Sequence, residues 1–92
     1  MTEIPRLTKR DFARALTKSQ RKRLMAGWIE SGNDVVAIRR FVGLTQKAFA
    51  AALGISVHTL RNWEQGRRHP EGPALALLTI AVRHPKIVRE IK

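Results

Sequence analysis

Residues 45–66, TQKAFAAALGISVHTLRNWEQG, read as two short helices hinged at Gly54. Leu44 stands immediately before Thr45 and five residues before Phe49, and Ile55 stands in the same relation to Ser56 and Leu60. Each is a hydrophobic staple around an N-cap hydroxyl, and it fixes the angle at which the helix begins. Ala50 is small enough to let two helices approach closely, and Gly54 tolerates the positive φ at which the first helix must stop. The two helices are thereby held at a steep mutual angle. On the second, Leu60 and Trp63 lie three apart and face inward, which leaves Val57, His58, Arg61 and Asn62 on or near the outer face. A short, rigidly presented helix carrying such side chains suits a DNA major groove.

Composition agrees with a polyanionic partner but does not name one. The 92 residues make one small domain with a modest core. Eighteen Lys and Arg against seven Asp and Glu give a formal charge of +11, which favours nucleic acid or acidic lipid. Cysteine is absent, so folding rests on helix packing, with no disulfide framework or thiolate metal site, as suits a reducing cytoplasm. The longest apolar run, residues 74–82, is far short of the ~20 residues that cross a bilayer. Residues 1–23 are charged throughout and lack the apolar stretch of a secretory signal.

Around the hinge the chain divides into a basic N-terminal helical extension, residues 1–32, and a helical domain, residues 33–92. In the extension Phe12, Leu16, Leu24, Met25, Trp28 and Ile29 recur at helical spacings, predicting one or two amphipathic helices within residues 8–30. Trp28 and Trp63 both fall on apolar helical faces and are expected to be buried. The run Arg21-Lys22-Arg23, with Arg14 and Lys18, reads as a solvated face, a DNA-backbone arm or a surface for an acidic partner. Ser31-Gly32-Asn33 has turn chemistry, after which Asp34 caps a helix over 34–42 that turns Val35, Ile38 and Val42 inward. Further helices are expected over 46–53, 57–65, 73–83, where Pro73 suits a first turn, and 86–91. The apolar residues of 73–83 circle too much of that helix to face solvent, and Ile87, Val88 and Ile91 add a second apolar stripe, some of which is expected to meet another subunit. The fold class is all-α.

The stretch resembles the helix-turn-helix of the Cro and phage-repressor superfamily, often called the XRE family. The resemblance rests on Gln46, Ala50, Gly54, Leu60 and Trp63, on the exit Trp63-Glu64-Gln65-Gly66-Arg67-Arg68-His69-Pro70, and on Gly72-Pro73-Ala74 and Leu77-Leu78. It covers residues 34–84 and implies a five-helix, lambda-repressor-like domain. Within the superfamily the chain is similar to HigA-type antitoxins, where a comparable N-terminal segment precedes the motif.

His58 and Asn62, one turn apart, match positions that resemble the family's base-contacting pair. Asn suits the N6 and N7 edge of adenine, and His accepts or donates according to its protonation. Val57 offers methyls to a thymine methyl, and Arg61 reaches either guanine O6 and N7 or the flanking phosphates. Thr45, Gln46, Ser56 and Thr59 belong to contacts that position the protein on phosphates without reading sequence. Among them Gln46 matches the family's phosphate-binding glutamine at a helix start, where the dipole favours an anion. By resemblance Arg67, Arg68 and His69 run along the phosphate backbone. Arg39 and Glu64 resemble a structural ion pair between the preceding helix and the end of the recognition helix.

Three histidines without ligand spacing, unpaired carboxylates and no nucleophile-elbow serine argue against an enzyme, and no cofactor or metal is expected. The basic amphipathic stretch 9–29 would suit a membrane surface but leaves the motif unexplained, so no membrane partner is expected. The resulting expectation is a cytoplasmic homodimer that binds double-stranded DNA and regulates transcription, as a repressor on a palindromic operator. The HigA likeness implies an antitoxin repressing its own promoter, or, as the alternative, a module that neutralises a toxin with DNA binding secondary.

Overall fold

The computed structural model describes residues 16–91, and the part of the expected first helix over 8–15, with Phe12 and Arg14, lies outside them. Six helices follow one another: α1 Lys18–Met25, α2 Gly32–Val42, α3 Gln46–Leu53, α4 Val57–Glu64, α5 Pro73–Arg83 and α6 Pro85–Glu90. Among the described residues there is no strand, so the fold is all-α as expected.

Local chemistry sets most boundaries. Thr17 and Gln20 form a reciprocal capping box at the start of α1, the Thr17 hydroxyl accepting the Gln20 N–H at 3.0 Å. Thr45 and Ser56 do the same half of that job for α3 and α4, accepting the N–H groups of Ala48 at 3.1 Å and Thr59 at 3.0 Å. Helix α3 stops at Gly54, whose φ of 75° lies in the left-handed region, and prolines open α5 and α6.

The segment after α1 departs from expectation. The helix ends at Met25, and the Trp28 N–H folds back onto the Arg23 carbonyl at 3.1 Å around Gly27. The helical face on which Trp28 was placed therefore does not exist, and Trp28 is 67% exposed. Arg23 also corrects the reading of its basic run. It donates from both Nη groups to Asp34, at 2.9 Å each, and from Nη1 to the Trp28 carbonyl at 2.8 Å. Asp34 is buried two residues inside α2, where it accepts the Glu30 N–H at 2.8 Å, so it acts as a buried junction and Ser31 holds the N-cap position. The Arg23 guanidinium holds the Asp34 carboxyl below the usual aspartate range, outweighing the opposing effect of burial. Arg21 lies over the Phe41 ring at 5.6 Å, and Lys22 is exposed.

One core joins all six helices: Leu24, Val35, Ile38, Val42, Phe49, Leu60, Leu78 and Val82 are sealed from solvent, with Trp63 and Val88 nearly so. Gly32 carries a constraint that its turn chemistry hides. It is the first residue of α2, and a Cβ there would fall 2.7 Å from the Trp63 carbonyl oxygen and closer still to that of Glu64. The absent side chain lets the start of α2 seat against the end of α4.

Candidate nucleic-acid interface

Helix α4 is positioned from both ends and from beneath. Ser56 caps its start, and the Ser56 hydroxyl also donates to Thr59 Oγ1 at 2.9 Å. Leu60 and Trp63 bury its inner face, and Gly32 admits its last turn against α2. What remains outward is the face that carries His58 and Arg61, both exposed, with Asn62 half-buried beside them. Val57 is also half-buried and packs against the core, which leaves only part of its side chain outward. Thr59 is half-buried, and the Thr45 and Ser56 hydroxyls are engaged as caps at the starts of α3 and α4.

Past the end of α4, the N–H groups of Arg67 and Arg68 turn back onto the Asn62 carbonyl at 2.9 and 3.3 Å. Arg67, Arg68 and His69 are exposed, and the buried Pro70 holds the segment down behind them. Three cationic or protonatable side chains are thus exposed on the segment that leaves the end of α4.

Under this surface lies a polar network joining three helices. Arg39 donates from Nε to Glu64 Oε2 at 2.7 Å and from Nη2 to Oε1 at 3.3 Å, and from Nη1 to the Leu44 carbonyl at 3.1 Å. The side chains are 16% and 5% exposed, so a lone Glu64 carboxylate would lie buried without its counter-ion. Gln46 adds a donor, its Nε2 meeting Glu64 Oε1 at 2.9 Å, and the Gln46 Oε1 in turn accepts from Arg61 Nε at 3.3 Å. The ion pair between Arg39 and Glu64 thus locks α2 to the end of α4, while Gln46 connects it to the exposed face.

The structure brings Gln46, Arg61 and the Arg39–Glu64 pair into one contiguous unit, a link that no short-range spacing signals because Gln46 and Glu64 stand 18 residues apart. Sequence reasoning also missed Gly32 and the Arg23–Asp34 junction. Both depend on contacts between elements, and neither leaves a periodic trace.

A family model described as the antitoxin component of a bacterial toxin–antitoxin system, MqsA, matches residues 4–92. Antitoxin HigA-2 of Vibrio cholerae serotype O1 is 41% identical over 61 residues, covering 66% of this chain and 59% of that protein. Antitoxin MqsA of Escherichia coli strain K12 is 29% identical over 58 residues, covering 63% of this chain and 44% of that protein. The matched stretches thus span about half the length of these curated relatives. No solved structure matches the chain significantly.

Proposed function

This chain belongs to the family of MqsA antitoxin components of bacterial toxin–antitoxin systems, and we propose that it acts in such a system as a sequence-specific DNA-binding repressor. In this reading residues 45–66 are a helix-turn-helix of the XRE class and α4 is its recognition helix. His58 and Asn62 read bases, Val57 meets a thymine methyl with its outward part, and Arg61 reaches a base or a phosphate. Arg67, Arg68 and His69 grip phosphates with their side chains, and Thr45, Gln46, Ser56 and Thr59 present the starts of α3 and α4 to them. The single observation that carries the reading is the outer face of α4. The helix is capped at its start, tied at its end by a buried ion pair, and followed by the exposed Arg67, Arg68 and His69.

The exposed Leu77 and Ile80 of α5 and Ile87 of α6 support a homodimer, in which two copies of α4 meet half-sites one helical turn apart, ~34 Å. Neutralising a partner toxin is a second role. It is favoured by the names of the relatives, both antitoxins, and is compatible with the first.

The test is the salt dependence of binding to a labelled duplex. With six to eight phosphates neutralised, log affinity falls against log salt with a slope of roughly −5 to −7. A slope near zero removes the DNA reading and leaves toxin binding as the function.

A further inference from the structure

Arg61 is the side chain whose role the sequence leaves open between guanine edges and phosphates. It is exposed on α4 yet is not unconstrained, because its Nε–H donates to Gln46 Oε1 at 3.3 Å. That oxygen faces Arg61 because the other end of the amide is committed. A carboxylate accepts and never donates, so Glu64 takes the Gln46 NH2 group, at 2.9 Å, and the amide cannot reverse without setting two oxygens against each other. Glu64 is itself fixed by Arg39 through two bonds. Orientation therefore passes from a buried ion pair, through one amide, to an exposed guanidinium.

The direction of this constraint matters. Gln46 is the first residue of α3, so the bond draws Arg61 off the outward direction of α4 toward the start of α3. The unpaired N–H groups and dipole of a helix start favour an anion, and the Nη groups of Arg61 remain to meet it. We propose that Gln46 is a positioning residue for Arg61, and that the pair makes Arg61 a clamp on the DNA backbone and leaves base reading to His58 and Asn62. The proposal rests on the DNA-binding reading above.

A double-mutant cycle of Gln46→Met and Arg61→Ala tests it. Binding is measured on a selected duplex and on random duplex across a salt series, with base preference determined at each position. Arg61→Ala is expected to weaken both duplexes by the same factor, reduce the salt slope by about one and leave base preference intact. In the Gln46→Met background the Arg61→Ala loss shrinks at least about threefold. Arg61→Lys keeps the charge but lacks the fixed Nε–H donor, so Gln46→Met costs it less affinity than it costs the parent, and it keeps the test decisive should Arg61→Ala perturb folding. Loss of preference at one base position in Arg61→Ala, or equal Arg61→Ala losses in both backgrounds, overturns the proposal while the DNA reading stands. A parent protein whose binding ignores salt removes that reading, and the proposal with it.

Discussion

Asn62 sits where two demands meet. Its carbonyl anchors the exit segment that carries Arg67 and Arg68, while its side chain stands half-buried beside the exposed His58 and Arg61. Side-chain truncation leaves the carbonyl in place, so Asn62→Ala isolates the amide. In the proposed role it costs ~1–3 kcal/mol on the cognate site and relaxes discrimination there, measured against scrambled duplex. Equal losses on both duplexes would assign the amide to phosphate. Asp34 is the other residue whose surroundings make a sharp statement. Its carboxyl is held below the ordinary value by Arg23, so the stability it contributes is present above about pH 4, where an unfolded Asp ionises, and is lost as pH falls through the lower folded value. Asp34→Asn should therefore melt lower than the parent at pH 7, with the gap closing below about pH 4. A gap independent of pH would mean that the bridge contributes no charge-dependent stability.

At the scale of elements, Gly32 supplies a test whose sign is informative. A glycine replaced by alanine within a helix ordinarily gains about 1 kcal/mol from propensity. At Gly32 the new Cβ meets backbone carbonyls at the end of α4, which have no flexible side chain to yield. Gly32→Ala should lower stability by about 1–3 kcal/mol, the cost of overpacking, and weaken DNA binding with it because α4 is the element displaced. A higher melting temperature would show that the two helices do not seat as closely as described. The elements themselves were largely legible: hydroxyl caps at Thr45 and Ser56, Gly54 at the hinge and Pro73 at the start of α5 announce their boundaries in the chain. Where reading failed, at Trp28 and Arg23, the cause was tertiary. Periodicity alone cannot show that α1 ends at Met25, or that a distant buried Asp34 recruits one arginine from a basic run. For the candidate interface, the outward side chains of α4 follow from helical spacing, whereas the tie from Glu64 through Gln46 to Arg61 spans separate helices and became visible only once they were packed.

For the whole molecule, the charge of +11 and the exposed apolar side chains of α5 and α6 are, in the proposed function, addressed to different partners. The charge favours any polyanion and supplies affinity without sequence preference. In the proposed function, preference comes from the outer face of α4, and symmetric half-sites from pairing of two copies. Membership of an antitoxin family fits both a DNA role and a toxin partner, so the decisive question is whether the surface selects a sequence. Selection from a randomised pool of double-stranded DNA at ~0.15 M salt, where exposed charges are already well screened, answers it directly. The account predicts an enriched palindrome with half-sites a fixed helical turn apart; recovery of the pool without enrichment would contradict it and leave α3 and α4 as a scaffold for protein contacts.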